Sequence, residues 1–346
     1  MKHQSGYAFT LLLLLAGCGG GGGSDSSTPT TTKLNLAISD APVDSAQQVC
    51  IAVSALSLKQ EGVTAEKQWG PLDLIDTNSN DGCLPVGYAI PKDNNGNPTF
   101  FYLDLLKYQD GDKHMLLSDE VIPSGKYEQL RLIVLDGTDK NNDLVGNTPL
   151  PASYVTEQDG TVKALEVPSD VLKFHSFNPL TSGVLDYQVE FNLRHAMVLP
   201  GHEEYYKLKP NGVKLLNVDV LSTISGSVAV SDANCGTTAL SNGDVGVYLY
   251  KDTVTDYQGI DYDTAHNGPV LSGMVSDTDA DGIYTYQLNY VEAGSYKLAL
   301  VCNASGDFLT EAGNSSGYGL QVADPVQDVP VQDPAVSQTT SVIADF

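Results

Sequence analysis

Hydrophobic and polar side chains alternate with a period of two along much of the chain from Lys33 onward. Leu34, Leu36 and Ile38 alternate with polar or small residues, and residues 185–194 carry a large apolar side chain at every second position. This alternation is typical of half-buried antiparallel strands. We therefore predict a mainly all-β fold.

Polar stretches rich in Asn, Asp and Gly separate the predicted strands. Residues 76–82 and 136–147 are examples, and this composition indicates loops. Short helical turns are predicted near residues 103–108 and 168–172, and no segment follows a long 3.6-residue period. The strands form two groups that meet near Leu221, which predicts two antiparallel β-sandwich-like domains.

The N-terminal residues follow a different pattern. Residues 7–16 form an apolar run of about ten residues, whereas a membrane-spanning helix needs about twenty. Such a run is typical of a signal-peptide core. It ends in Leu15-Ala16-Gly17-Cys18, which resembles the bacterial lipobox. The resemblance implies a diacylglyceryl group on the Cys18 thiol and cleavage before it, and an ordinary cleavage site with an incidental cysteine is the alternative.

The segment after Cys18 contains only small and polar residues as far as residue 32, which is typical of a flexible linker. Acyl chains on Cys18 would anchor the chain to a lipid bilayer without a transmembrane helix. Gly19 is not the aspartate associated with inner-membrane retention, so by analogy we expect the bacterial outer membrane, facing the periplasm or the cell surface. The predicted segments are a signal peptide at 1–17, a lipidated cysteine and linker at 18–32, a β-rich domain at 33–220 and a β-sandwich at 221–346.

The charge balance is strongly acidic. The chain has 43 Asp and Glu residues against 18 Lys and Arg residues, a formal net charge of -25. Because phosphate binding needs a basic surface, this balance argues against nucleic acid as a partner. It equally disfavours electrostatic adsorption to an anionic bilayer.

Four cysteines remain when Cys18 is set aside, and an even number in an oxidising compartment predicts two disulfides. Three pairings are possible. The domain boundary places two cysteines on each side, which favours Cys50–Cys83 and Cys235–Cys302. Metal ligation by these thiols is the alternative, although no C-x-x-C spacing supports it.

Several segments of the first predicted domain carry a family resemblance. They are, in order, Asp40-Ala41-Pro42-Val43-Asp44, Leu103-Asp104-Leu105-Leu106, Ile122-Pro123-Ser124-Gly125-Lys126-Tyr127-Glu128-Gln129-Leu130-Arg131-Leu132, Val189-Glu190-Phe191-Asn192-Leu193-Arg194 and Tyr206-Lys207-Leu208-Lys209-Pro210. Together they resemble the domain of unknown function 4382 over about residues 33–217. The family has no established activity and its members are typically secreted or lipidated prokaryotic proteins, so the resemblance implies no specific chemistry.

The second predicted domain contains three motifs in a characteristic order. A G-x-V segment at residues 226–228 precedes D-x-D-G-x-Y at 279–284 and A-G-x-Y at 293–296. This order resembles the carboxypeptidase-regulatory-like or Cna B-type module over about residues 222–346. The resemblance implies a small transthyretin-like β-sandwich, in a fold class that includes stalks, spacers and glycan-binding domains.

An acidic cluster in the second domain is a candidate cation site. Asp277, Asp279 and Asp281 precede Gly282 in the D-x-D-x-D-G pattern that begins an EF-hand calcium loop. The twelfth position is Leu288 instead of a bidentate glutamate, which excludes a true EF-hand. A β-hairpin turn is the favoured interpretation, and a weak Ca²⁺ site is the alternative. No other cofactor is expected.

Aromatic residues raise the alternative of carbohydrate binding. Exposed rings in a row stack on sugars, whereas buried rings only fill a core. The candidate rings are those of Trp69, Tyr248, Tyr250, Tyr257, Tyr262, Tyr284, Tyr286 and Tyr290.

No nucleophile signature and no phosphate- or dinucleotide-binding glycine pattern occurs in the sequence. We therefore predict a non-enzymatic outer-membrane lipoprotein with a binding or scaffolding role at the cell envelope. Its expected partners are the bilayer, through acylated Cys18, and a glycan or an envelope protein. The alternatives are a carbohydrate-binding envelope protein that acts through the second domain, and an envelope hydrolase with scattered catalytic residues.

Overall fold

The computed structural model of the chain is built almost entirely from β-strands, which confirms the predicted fold class. The residues it describes are 31–41, 46–74, 80–109, 111–175, 177, 183–200, 204–229, 235, 244–262, 264–277, 281–307, 319–323, 326–332 and 341–346.

The strands of the first domain lie within the described part of residues 31–220. They are β1 (Thr31–Ala41), β2 (Ala46–Gln60), β3 (Lys67–Trp69), β4 (Phe101–Asp104), β5 (His114–Pro123), β6 (Tyr127–Val134), β7 (Tyr154–Glu157), β8 (Val162–Glu166), β9 (Val171–Phe174), β10 (Val184–Asn192), β11 (Met197–Val198), β12 (Tyr205–Leu208) and β13 (Val213–Asn217). One short α-helix, α1 (Leu193–Ala196), follows β10.

The strands of the second domain lie within the described part of residues 221–346. They are β14 (Ser222–Ala229), β15 (Gly246–Lys251), β16 (Leu271–Met274), β17 (Ile283–Val291), β18 (Gly294–Val301), β19 (Gln327–Val331) and β20 (Ser341–Ile343).

Single 3-10 turns connect several of these strands. They are Asn80–Gly82, Leu105–Lys107, Lys140–Asn142, Pro168–Asp170, Pro210–Gly212, Val218–Val220, Thr264–His266 and Ala304–Gly306. Two of them, Leu105–Lys107 and Pro168–Asp170, lie where the sequence predicts helical turns. At the first of these, the Asp104 side chain accepts a hydrogen bond from the Leu106 amide and caps the turn.

Two sheets enclose the core of the first domain. Strands β13-β10-β1-β5 form one sheet, and β11-β12-β8-β7-β2-β6-β9 form the other, with β3 and β4 also paired to β2. Leu36 and Ile38 of β1 share the core with Ile51 and Val53 of β2, and all four side chains are fully buried. The alternating apolar residues of the sequence therefore point between the sheets, as predicted.

The outer face of the long strand β2 carries a second, smaller core. Cys50 and Ala52 alternate with the inward residues, and Cys83, Phe100 and Tyr102 cover them from outside. The Cys50–Cys83 disulfide ties this covering segment to β2. Because β2 is buried on both faces, the period-two pattern is weaker there than in β1.

The second domain is also a sandwich, of the sheets β17-β14-β20 and β16-β15-β18-β19. Ile224, Val247, Leu288 and Leu300 lie in the core between them. Cys235 and Cys302 form the second disulfide, so both pairs are those that the domain boundary favours.

Strand direction differs from the prediction at three places. Most neighbours are antiparallel, but β1 pairs with β10, β12 with β8 and β14 with β20 in parallel. Alternation along one strand shows which side chains are buried and contains no information on the direction of its neighbour, so the sequence pattern could not reveal these pairs.

The first strand includes the last two residues of the predicted linker. Strand β1 begins at Thr31, where Thr31 and Thr32 pair with Pro123 and Ile122 of β5. The Thr32 hydroxyl donates a hydrogen bond to the Gly183 carbonyl at 3.0 Å. Backbone pairing needs no apolar side chain, and threonine is well accommodated in strands.

The Cys50–Cys83 disulfide closes a segment with a sequence separation of 33 residues. The double variant Cys50→Ala/Cys83→Ala should lower the free energy of unfolding of the first domain by roughly 3–4 kcal/mol, because the unfolded chain gains entropy. Trp69 is the only tryptophan and is buried in the first domain, so its fluorescence during urea denaturation reports the change.

The matched control is Cys235→Ala/Cys302→Ala, which removes the disulfide of the other domain. Its Trp69 transition should move less than that of the first double variant. Equal shifts for the two variants would contradict the assignment of Cys50–Cys83 to first-domain stability.

Candidate functional site at the domain junction

The outward face of β10 is polar and nevertheless buried. Gln188 and Glu190 alternate with the core residues Val189 and Phe191, so the sequence pattern predicts that both polar side chains face water. In the structure Gln188 is 2% exposed and Glu190 7% exposed. The second domain packs over this face, which a pattern within one strand cannot reveal.

Gln188 and Tyr290 connect the domains at this face. The Gln188 side-chain amide donates to the Ser39 hydroxyl of β1 and to the Tyr290 hydroxyl of the second domain. Tyr290 has a φ of 62°, a left-handed conformation that is rare for a large side chain. The pairing of β14 with β17 shifts register at this point, from Ser222–Val291 to Ile224–Leu288. Such a bulge redirects a side chain out of the regular sheet pattern.

Among the described residues, Arg194 makes the most extensive polar contact between the domains. The predicted strand 185–194 ends at Asn192, whose side-chain oxygen accepts a hydrogen bond from the His195 amide at 3.3 Å and caps α1. The Arg194 guanidinium then donates to the carbonyls of Ala304 at 2.8 Å and Asp307 at 2.9 Å.

The same guanidinium donates to the Tyr248 hydroxyl at 3.0 Å and contacts the Met274 sulfur. Tyr248 in turn donates to the Asp307 carboxylate at 2.8 Å, which also accepts from the Ile260 amide at 3.0 Å. Burial raises the pKa of Asp307, while its hydrogen bonds and the charge of Arg194 act in the opposite direction. A buried network of this kind is stabilising only while each member keeps its partners.

Buried Glu190 and half-buried His195 of this region also have shifted pKa values. Burial raises the pKa of Glu190 to about 7, opposed by the charge of Lys214 on β13. Burial lowers the pKa of His195 to about 4, and the charges of Lys214 and Arg194 act in the same direction. Both side chains are therefore held towards their neutral forms by removal from water.

A cleft with two compartments lies between the domains beside Glu190. The inner pocket has a volume of ≈ 20 Å³ and is lined by residues of both domains, including Ser39, Asp40, Glu190, Ser272 and Tyr290. The outer cavity has a volume of ≈ 490 Å³ and is lined by Lys113, Asp186, Gln188, Asp219, Thr223, Asn289 and Tyr290, among others. Tyr290 lines both compartments, so they adjoin. Clefts at domain junctions with convergent polar groups are common binding sites.

The predicted acidic cluster forms part of a turn between β16 and β17. The Asp277 carboxylate accepts from the amides of Asp281 at 3.2 Å and Gly282 at 3.0 Å, and Asp281 accepts from the Ile283 amide at 2.8 Å. Asp279 lies outside the described residues. Over the described ranges, no three His, Cys, Asp or Glu side chains are grouped so that they could hold a metal ion. The weak calcium site stays a prediction.

Four of the eight candidate aromatic rings are buried and are therefore not exposed for sugar stacking. Tyr248 and Tyr250 are completely buried on the outer face of β15, and Tyr286 and Trp69 are also buried. The expectation of an exposed platform from these four rings is wrong. Tyrosine is amphipathic, so its ring can fill a core while its hydroxyl makes a hydrogen bond, and composition does not separate the two roles.

Sequence reasoning missed the groups that meet at the junction, above all Gln188, Glu190 and Arg194. One weak signal was available, because Arg194 is one of only two arginines in the chain. Cys18, the predicted lipidation site, lies outside the described residues. Among the described residues, no helix has the length and apolar character needed to cross a membrane.

Residues 31–210 match the model of a family described as "Domain of unknown function (DUF4382)". The predicted span of about 33–217 agrees closely with this match. No curated protein matches the chain.

Three solved structures illustrate the structural comparison. The major pilin subunit BcpA of Bacillus cereus has 10% identity and a TM-score of 0.18, and the match covers 91% of this chain and 70% of the pilin. A streptococcal ancillary pilin has 12% identity and a TM-score of 0.16, with 93% and 63% covered. The fimbrial anchor protein Mfa2 of Porphyromonas gingivalis has 9% identity and a TM-score of 0.16, with 80% of each chain covered. At these TM-scores the likeness supports no conclusion about fold or function.

Glu190→Gln tests the buried carboxyl through the pH dependence of stability. An acid whose pKa rises from 4.5 when unfolded to about 7 when folded destabilises the folded state increasingly as pH rises through that window. Glu190→Gln should therefore match the wild type at pH 4 and exceed its free energy of unfolding by up to about 3 kcal/mol at pH 8. Urea denaturation at several pH values measures the difference.

His195 has the opposite pH dependence, because its lowered pKa costs stability as pH falls from about 6.5 to about 4. It is unchanged in the variant, so the difference between the two proteins isolates Glu190. A difference in stability that does not vary with pH would contradict the assignment.

Proposed function

We propose that this chain, which belongs to the DUF4382 family, is an envelope lipoprotein that acts as a non-enzymatic scaffold with its two β domains held in one orientation. The Arg194 guanidinium carries the proposal. It extends from the turn after β10 and hydrogen-bonds Tyr248 and two backbone carbonyls of the second domain. A scaffold has to present its surfaces at a constant spacing, and this contact opposes rotation of one domain against the other.

The two disulfides support an extracytoplasmic location. One lies in each domain, and structural disulfides persist in oxidising compartments. The lipobox-like Leu15-Ala16-Gly17-Cys18 supports attachment by acyl chains, and the linker that follows would hold the domains away from the bilayer. The outer membrane remains the favoured membrane because Gly19 follows the cysteine.

The second domain is proposed as a carboxypeptidase-regulatory-like or Cna B-type spacer. Its two packed sheets of three and four strands support this assignment, together with the three motifs at residues 226–228, 279–284 and 293–296. In the scaffold it would extend the first domain through the Arg194 contact.

Arg194→Ala tests the fixed orientation. Removal of the guanidinium leaves the polar groups around Tyr248 and Asp307 without their donor, so the free energy of unfolding should fall by about 2–3 kcal/mol. The domains should also reorient, which increases the radius of gyration measured by small-angle X-ray scattering.

The matched control is Arg131→Ala, because Arg131 is the other arginine and forms an ion pair with Glu66 near the surface of the first domain. Such a pair contributes up to about 1 kcal/mol, and its loss should leave the scattering profile unchanged. An Arg194→Ala profile identical to that of the wild type would disprove the fixed scaffold.

Cys18→Ser tests the anchor in a bacterial host that carries the lipoprotein pathway. The wild-type chain should incorporate labelled palmitate and sediment with outer-membrane vesicles in a density gradient. Cys18→Ser should incorporate none and should keep its 17-residue leader, because lipoprotein signal peptidase acts only after lipidation.

The double variant Cys50→Ala/Cys83→Ala is the control for thiol chemistry elsewhere and should label as the wild type does. Label in the Cys18→Ser protein, or its absence from the wild type, would rule out the predicted anchor without bearing on the Arg194 contact.

A further inference from the structure

The inner pocket of the cleft is lined by acceptor groups that come from both domains. Glu190, Asp40 and Ser39 belong to the first domain and Ser272 to the second, and all four are less than one-tenth exposed. The Ser272 hydroxyl is buried and has no hydrogen-bond partner among the described residues. A buried polar group of this kind costs free energy unless something satisfies it.

Of the two carboxylates that line this pocket, Asp40 has partners, whereas Glu190 has no paired cation among the described residues. Asp40 accepts from the Gln109 side-chain amide at 3.1 Å. Within the described ranges, Glu190 forms neither a hydrogen bond to a side chain nor an ion pair within 4.0 Å. Lys214 lies opposite it in the β10–β13 register, but its side chain is exposed to solvent. The described residues that line the pocket therefore present negative charge and hydroxyl groups, and none of them is a buried cation.

We propose that this cleft binds a primary ammonium group, with Glu190, its register neighbour Ser39 and Ser272 as its acceptors. An –NH₃⁺ group has three donors and no acceptor, which complements these three side chains. The inner volume of ≈ 20 Å³ is large enough for about one water molecule, and an ammonium head is of similar size. One carboxylate with two hydroxyls suits such a head better than a metal ion, which would need more ligands from the protein.

The outer cavity has room for the rest of the ligand. Asp186 and Asp219 lie on its wall, and burial, together with repulsion from Asp186, raises the pKa of Asp219. Lys113 is the one cationic side chain among the residues that line it. The Asn289 side-chain oxygen, also at this cavity, accepts from the Thr223 hydroxyl at 3.1 Å and from the Gln287 amide at 2.8 Å. We expect an aliphatic primary amine, either free or as a lysine side chain of a partner protein.

Isothermal titration of the purified full chain with 1,5-diaminopentane at pH 8 tests the site. The diamine should bind saturably, and 1,5-pentanediol, which has the same length and no charge, should not. Glu190→Gln should weaken binding about tenfold or more, because a charged acceptor is lost. Ser272→Ala should weaken it several-fold and is the second variant if Glu190→Gln does not fold.

Glu292→Gln is the matched control, because Glu292 is an exposed carboxylate of the second domain outside the cleft. It should bind the diamine as the wild type does, which separates the site from general attraction to an acidic chain. Binding should also weaken at pH 5.5, where Glu190, whose pKa burial raises to about 7, is protonated. Among the described residues, the ionisable groups that interact with Glu190 from neighbouring strands are Lys214 and Tyr290.

Nα-acetyl-lysine methylamide distinguishes the two sources of the amine. Binding of this capped lysine indicates a protein side chain as the ligand, and binding of the diamine alone indicates a free amine. The proposal is overturned if neither amine binds at pH 8, if the diol binds equally well, or if Glu190→Gln and Ser272→Ala both retain wild-type affinity. None of these outcomes depends on the acyl anchor or on the Arg194 contact.

Discussion

The arrangement of the two domains depends on one guanidinium that leaves the first domain and is satisfied within the second. Arg194 reaches the Tyr248 hydroxyl and the carbonyls of Ala304 and Asp307 because β10 ends at Asn192 and a single helical turn follows. Without that turn, position 194 would continue the strand alternation, and its side chain would stay beside the sheet. The guanidinium has five donors in a fixed plane, so a buried cluster of acceptors fixes the orientation of the side chain as well as its contacts. The same contact places the second domain over the outer face of β10.

Burial of the polar side chains on that face costs free energy, and the hydrogen bonds at the junction offset this cost only in part. Gln188 is satisfied by Ser39 and Tyr290, whereas Glu190 keeps a raised pKa and Ser272 has no hydrogen-bond partner among the described residues. Apolar residues at these positions would have formed a purely structural interface at a lower cost in free energy. Retained polar groups beside a cavity are typical of sites that recognise a ligand, and this is the physical basis for connecting the junction with binding of an ammonium group.

In each domain, residues outside the main core cover the outer face of a central strand of the sandwich. In the first domain Cys50 of β2 lies in the outer core, and its disulfide to Cys83 fastens the covering segment. In the second domain Tyr248 and Tyr250 lie on the outer face of the central strand β15. Tyr248 also forms hydrogen bonds with Asp307 and Arg194. These outer cores explain why residues expected at a surface are buried, and they connect the stability of the second domain to the junction.

The sequence by itself determined the local features: the all-β fold, the strands with clear alternation, the pairing of cysteines within each half, the turns near residues 103–108 and 168–172, and the family match. These follow from alternation, turn chemistry and cysteine number, which are properties of neighbouring residues. Only the tertiary structure decided that β1 runs parallel to β10, that the polar side chains of β10 are buried and that the tyrosines fill cores. Alternation distinguishes the two faces of a strand by polarity but does not show what packs against the polar face, since a second domain and water are equally compatible with it.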